Sequence, residues 1–186
     1  MRIISGNFKG KKISLPKDKE TRPLRDLVKE SIFNLINHSN KFTCKISKSD
    51  VLDLFSGTGS FGLECISRNA KKVTFVENYQ EALFILKKNI SFFNVHKKSE
   101  IIEKSCFDFF QFKKEFIKKY DLIFMDPPYK EEKINFLIEI IKKENFLKKN
   151  GILILHRHKK DNLKISTKLQ ILDERNYGIS KIIIGN

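Results

Sequence analysis

Hydrophobic and polar positions alternate along this chain in two periods, and the switching between them sets the expected order of elements. Val51-Leu52-Asp53-Leu54-Phe55 is a short apolar run that ends in glycines and reads as a strand. Residues 61–68 follow with a helical pattern, 72–76 as a strand, and 80–93 as a helix with Leu83, Leu86, Ile90 and Phe93 on one face. Residues 100–102, 120–125 and 151–155 add three strands, with an amphipathic helix over 134–146 between the last two. Two closing strands, 169–172 and 180–184, flank a turn at Tyr177-Gly178 with no helix between them. Such alternation predicts an α/β fold. Its sheet has seven mostly parallel strands with helices on both faces, and the last two strands form an antiparallel hairpin at one edge.

Ahead of residue 50 the pattern differs. Residues 2–13 read as two short strands around Gly6, Asn7 and Gly10. Thr21-Arg22-Pro23 reads as a helix start, and Leu24, Leu27, Val28, Ile32, Leu35 and Ile36 then recur at helical spacing. A polar stretch over 37–50 is the expected hinge. The predicted organisation is therefore an N-terminal extension of hairpin and helix, 1–49, followed by the main body, 50–186.

Composition narrows the class. The chain has 186 residues, 40% hydrophobic, with 17 Phe, which is enough for a packed core in one domain. No apolar run approaches the roughly 18 residues of a membrane span, and the opening residues lack the apolar segment of a secretory signal. The three cysteines, Cys44, Cys65 and Cys106, are scattered singly, which opposes a disulfide framework or a cysteine zinc site. A cytoplasmic location is expected, with no membrane and no metal. The net charge of +15 points to a polyanionic partner, although a lysine-rich codon bias would produce the same number.

Two segments carry candidate chemistry. Gly57, Gly59 and Gly62 form a GxGxxG turn between a strand and a helix, and Glu77 follows Gly57 by 20 residues at the end of the next strand. NAD and S-adenosylmethionine both fit that pattern. Asp53 discriminates between them, because a carboxylate beside the turn repels a pyrophosphate but attracts a sulfonium and an ammonium. Glu77 is placed to accept ribose hydroxyls. The second segment, Asp126-Pro127-Pro128-Tyr129, follows a strand at the sheet's carboxyl edge. An Asp126 oxygen and the Pro127 carbonyl could each accept one hydrogen of an exocyclic amine, aiming its lone pair at a methyl donor. Tyr129 offers a face on which a flipped-out or unpaired base could stack.

These residues resemble the class I S-adenosylmethionine-dependent methyltransferases with a (D/N)PP(Y/F/W) signature, and more closely the bacterial 16S rRNA guanine-N2 methyltransferases. The likeness covers nearly the whole chain. It includes Arg2-Ile3-Ile4-Ser5-Gly6 with Gly10, Arg22-Pro23, Glu30-Ser31-Ile32-Phe33-Asn34-Leu35, the glycine turn, Gly62-Leu63-Glu64, Asp126-Pro127-Pro128-Tyr129 and Tyr177-Gly178. It implies a Rossmann-like fold, S-adenosylmethionine as cofactor, and a monomer acting on one guanine of 16S rRNA in a small-subunit assembly intermediate. The cofactor contacts it implies are Asp53, Phe55, Ser56, Gly57, Gly59, Glu77, Asn78, Ser105, Cys106 and Asp126. The catalytic set is Asp126, Pro127, Pro128 and Tyr129. Lys9, Lys11, Lys12, Arg22 and Arg25 are candidate RNA contacts, and Arg22 and Arg25 could instead approach the cofactor's carboxylate.

The chain departs from the family pattern at Ser105-Cys106 and at His156, where relatives carry acids. His156 and His158 alternate at a strand end without a Cys or carboxylate partner in sequence, so solvent- or RNA-facing side chains are expected. Other readings stay open. One is an adenine-N6 methyltransferase of DNA or RNA, although only about 50 residues are left for target recognition. The others are an NAD-dependent oxidoreductase and a basic RNA-binding module without catalysis.

Overall fold

The computed structural model describes residues 1–16, 24–112 and 118–186. Strand β1 (Asp50–Leu54) is buried at every position and so must lie inside a sheet. Its neighbours are β2 (Lys72–Glu77) on one side and β4 (Tyr120–Met125) on the other, both parallel. With β3 (Ser99–Glu103), β5 (Leu147–His158), β6 (Ile171–Tyr177) and β7 (Ser180–Gly185), the seven strands run in the order β3-β2-β1-β4-β5-β7-β6. Only β7 is antiparallel to its two neighbours, β5 and β6. The expected architecture is therefore the observed one.

Five helices are described: α1 (Asp26–His38), α2 (Ser60–Ser67), α3 (Gln80–Phe92), α4 (Cys106–Phe112) and α5 (Ile134–Lys143). Two apolar cores lie on the two sheet faces. Alternate residues of β4 serve them in turn: Leu122 and Phe124 face one core, Ile123 and Met125 the other. Phe61 of α2 stacks on Phe124 with centroids 3.8 Å apart, and Phe33 of α1 stacks on Phe61 at 5.1 Å. Each such pair contributes about 0.5–1.5 kcal/mol beyond its burial. Phe42, Cys44 and Ile46, within the polar stretch 37–50, are buried in the same core as Ile3, Ile13 and Phe33.

Several expectations need correcting. Residues 2–13 make a single Arg2–Lys12 bridge rather than two strands. Helix α1 starts at Asp26, and Thr21, Arg22 and Pro23 lie outside the described residues. Its buried stripe includes Lys29 and Phe33, while Leu27 is 69% exposed. Helix α4 is additional.

A buried ion cluster explains the altered stripe. Lys29 and Glu64 are both fully buried, their charged atoms 3.8 Å apart. The Glu64 carboxylate accepts the backbone N–H groups of Ile4 at 2.7 Å and Ser5 at 3.0 Å, and Arg68 Nε at 2.9 Å. Lys29 Nζ donates to the Arg2 carbonyl at 2.7 Å and to Ser60 Oγ at 3.2 Å. Burial pushes the Lys29 pKa down, against the opposing pull of Glu64 and Asp26. The Glu64 carboxylate thus holds the opening segment on α2, together with Ser67 at the helix's last turn. Glu64→Ala takes the buried carboxylate from beside the Lys29 ammonium and the acceptor from two backbone N–H groups, so urea unfolding should show a loss of about 3–5 kcal/mol. Adding Lys29→Met should restore part of it. A loss below about 1 kcal/mol would mean that water replaces the carboxylate.

Candidate active site

The strand order reverses between β1 and β4, and the chain leaves both strands at the same edge of the sheet. This is the switch point at which open α/β sheets bind ligands. Past β1 the backbone folds sharply. Phe55, Gly57 and Gly59 all have positive φ, at 56°, 54° and 83°. A Cβ on Gly59 would meet Leu86 Cδ1 at 2.5 Å, and one on Gly62 would meet Phe75 Cε1 at 2.3 Å. The turn thus needs glycine for its conformation at Gly59, and for the seating of α2 against β2 at Gly62.

Three side chains hold this turn. Asp53 is 1% exposed, and its Oδ2 accepts the Gly62 N–H at 2.9 Å, capping the first turn of α2. Burial pushes the Asp53 carboxyl well above the usual carboxylate range; the Gly62 bond opposes this, while Asp126 and Glu77 add to it. Glu77 Oε2 accepts the Gly57 N–H at 2.7 Å, and its Oε1 accepts the N–H groups of Asn78 at 2.9 Å and Tyr79 at 2.8 Å. Asn89 of α3 donates to the carbonyls of Thr58 at 3.0 Å and Ser14 at 3.1 Å, joining the turn to the N-terminal segment. The buried Ser56 hydroxyl, in the middle of the turn, has no partner among the described residues.

The segment after β4 lies alongside. Asp126 N–H donates to the Leu54 carbonyl at 3.4 Å, extending the β1–β4 pairing past the strand end. Asp126 Oδ1 lies 2.7 Å from His156 Nδ1, and His156 Nε2 lies 2.9 Å from Ser180 Oγ. Arg157, also buried, donates to the carbonyls of Pro128 at 3.0 Å and Tyr129 at 2.9 Å and pairs with Asp161. Asp126 Oδ2 and the Pro127 carbonyl take no hydrogen bond among the described residues. A group with two N–H donors fits that pair. The Tyr129 ring, half-buried, stands edge to face with His158 at 5.3 Å.

The structure thus brings Asp53, Phe55, Ser56, Gly57, Gly59, Glu77 and Asn78 together with Asp126, Pro127, Pro128 and Tyr129. Ser105 and Cys106 are turned to other work. The Ser105 hydroxyl bonds Asp108 at the start of α4, and buried Cys106 Sγ accepts the Phe55 N–H at 3.3 Å. Lys9, Lys11, Lys12 and Arg25 are exposed. Asn7 and Phe8 bond to Asn69 and Ser67 at the C-terminal end of α2, so Lys9 sits beyond the helix end remote from the glycine turn. His156 faces neither solvent nor RNA: it is 6% exposed and bonded on both ring nitrogens. The missed residues, His156, Arg157, Ser180 and Asn89, share one signal: each is a polar residue on a buried stripe. Among the described residues, no group of three or more His, Cys, Asp or Glu is placed to hold a metal ion, and no helix is long and apolar enough to cross a membrane.

Comparison with known proteins bears on this site. Residues 1–186 match the family described as Conserved hypothetical protein 95. Ribosomal RNA small subunit methyltransferase D of Buchnera aphidicola subsp. Baizongia pistaciae is 36% identical over 160 residues, which span 84% of this chain and 76% of that protein. The protein of the same name from Haemophilus influenzae is 32% identical over 180 residues, covering 96% and 90%. Among solved structures, the "putative methylase HI0767" of Haemophilus influenzae has a TM-score of 0.77 at 31% identity, covering 99% of this chain and 96% of that one.

Asp53 gives a pH test. Its carboxyl holds a proton more tightly in the folded chain than in the unfolded chain, where it titrates near pH 4. Its contribution to stability is therefore complete below about pH 4 and is lost as pH rises through the higher folded value. Asp53→Asn keeps an oxygen for the Gly62 N–H but cannot ionise. Urea melts should show the variant gaining on wild type as pH rises above about 4. Parallel curves would mean that no buried charge forms there.

Proposed function

Because this chain belongs to the family of ribosomal RNA small subunit methyltransferase D and has the class I methyltransferase fold, we propose a specific reaction for it. It transfers a methyl group from S-adenosylmethionine to the exocyclic N2 amine of a guanine in 16S rRNA. The observation that carries this reading is the pair of open acceptors, Asp126 Oδ2 and Pro127 O, one residue beyond the glycine turn's own strand pairing. The names of the relatives supply the nucleic-acid class.

The residues present fit the cofactor. The unpartnered Ser56 hydroxyl is a polar atom inside a turn opened by glycines, where a bound methionine moiety would satisfy it. Asp53, Asp126 and Glu77 place carboxylates where a doubly cationic donor group gains and a pyrophosphate does not. Glu77 Oε1 already takes two backbone N–H groups, whereas Oε2 takes only that of Gly57 and keeps a lone pair for a ribose hydroxyl. Phe55, Gly57, Gly59 and Asn78 contribute backbone, as do Ser105 and Cys106.

When bound, S-adenosylmethionine supplies a methyl group on a sulfonium, which leaves as a neutral thioether as the nitrogen lone pair forms the new C–N bond. The chain's part is orientation. A guanine N2 lone pair is delocalised into the ring and is a poor nucleophile. Asp126 Oδ2 and Pro127 O each accept one of its hydrogens, holding the nitrogen toward tetrahedral geometry and freeing the pair. After transfer the nitrogen sheds one proton, which Asp126 Oδ2 accepts and passes to water. Tyr129 stacks the base, its ring plane set by His158. Residues 1–49, with Lys9, Lys11, Lys12, Arg22 and Arg25, dock the RNA backbone, and a partly assembled small subunit in the cytoplasm is the substrate. The enzyme acts as a monomer.

Asp126→Ala removes one acceptor and should lower tritium-methyl transfer to small-subunit rRNA by about 10²–10³-fold or more, while calorimetry still records donor binding. Near-normal turnover would refute the assignment. Digesting the product to nucleosides should yield N2-methylguanosine; N6-methyladenosine would move the target to adenine.

A further inference from the structure

We infer that His156 is a positioning residue for Asp126, fixing which carboxylate oxygen is left to receive the amine. The inference rests on the methyl-transfer reading above. Asp126 sits at a strand end, followed by two prolines, so its backbone is held while its side chain can turn about χ1. A change of rotamer would carry Oδ2 away from the Pro127 carbonyl, and misplacement by about 1 Å can cost about a hundredfold in rate.

The structure holds one rotamer by a chain of side chains from three strands. Ser180 opens β7, His156 lies on β5, and Asp126 follows β4. Ser180 and His156 are 3% and 6% exposed, and the contacts are 2.9 Å and 2.7 Å. A carboxylate only accepts, so His156 Nδ1 donates to Asp126 Oδ1, and Nε2 is taken by the Ser180 hydroxyl, which can donate or accept. Both ring nitrogens are thus used, Asp126 Oδ1 is taken, and Oδ2 is the oxygen that remains. The sheet itself sets the spacing, since Leu155 pairs with Met125 and His156 with Ile182. Arg157, the next residue, holds the other half of the segment by the Pro128 and Tyr129 carbonyls. Asp126 Oδ1 and the Pro128 and Tyr129 carbonyls are therefore occupied, while Asp126 Oδ2 and the Pro127 carbonyl stay open for the reaction.

A merely structural pair would act on stability and binding; a positioning residue acts on turnover. Wild type, His156→Ala, His156→Asn and Ser180→Ala are compared as full chains by tritium-methyl transfer to small-subunit rRNA, donor calorimetry and thermal melting. His156→Ala should lower kcat by about 30- to 100-fold, with KM for RNA and donor Kd within about twofold of wild type. His156→Asn, whose amide N–H can replace the Nδ1–H, should return kcat to within about fivefold, and Ser180→Ala should fall between.

Turnover of His156→Ala within about threefold of wild type overturns the inference, as does a kcat loss matched by equal losses of Tm and donor affinity. So does a folded His156→Asn that is no better than His156→Ala. Should His156→Ala not fold, Ser180→Ala decides: lower kcat at unchanged Tm supports the inference, and wild-type kcat overturns it. If wild type itself transfers no methyl group, the functional reading falls and takes this one with it. Wild-type transfer beside an unaffected His156→Ala defeats the positioning role alone.

Discussion

The parallel pairing of β1 with β4 is the constraint on which the site depends. Leu54 sits opposite Met125, so the two strands end level and their continuations leave the sheet side by side. The extra bond from Asp126 N–H to the Leu54 carbonyl holds them together one residue further. A slip of one residue would turn every side chain of β1 to the other face. Asp53 would then leave the α2 side, where it caps Gly62, and Leu54 would leave the opposite core. Neither turn nor core survives that exchange. Packing on both faces of one strand thus fixes the distance between two loops that share no side-chain bond.

Much of this was legible because it is local. Strand β4 shows its full length in the sequence, and so does the order of strands and helices, since period and turn residues depend on near neighbours. The glycine turn and the Asp126-Pro127-Pro128-Tyr129 segment were legible for the same reason. What failed was set by partners far along the chain. Lys29 enters the buried stripe of α1 because Glu64 awaits it, and Leu27 is displaced to the surface. The opening residues pair only around Arg2 and Lys12, because the N–H groups of Ile4 and Ser5 go to Glu64 instead of extending the pairing. Helix α4, Cys-Phe-Asp-Phe-Phe-Gln-Phe, is about two turns of mostly aromatic residues with no readable polar face.

His156 is the instructive error. A histidine and an arginine ending an apolar run look like the point where a strand meets water. Here each finds an acceptor some 30 residues away in sequence, His156 at Asp126 and Arg157 at the carbonyls of Pro128 and Tyr129. Burying either group alone would cost several kcal/mol, so their presence inside the sheet edge already requires a partner in the segment they face. Polar residues on a buried stripe mark long-range anchors; the same logic would have pointed to Asn89 and its hold on Thr58 and Ser14.

Charge is partitioned between surface and cleft. The chain carries +15, yet the two loops gather Asp53, Glu77 and Asp126, three carboxylates close enough for Asp53 to feel the other two. Burying a carboxyl beside two others costs stability, and the Asp53 carboxyl, raised first by burial and further by Asp126 and Glu77, is the sign of that cost. Folding alone gives no return for it: one neutral acceptor would cap Gly62 as well. On the proposed reading a cationic donor offsets the cost on binding, while the exposed lysines act on phosphates outside the cleft. A polyanion and a cation can then occupy one small protein at once, each in a field of the opposite sign.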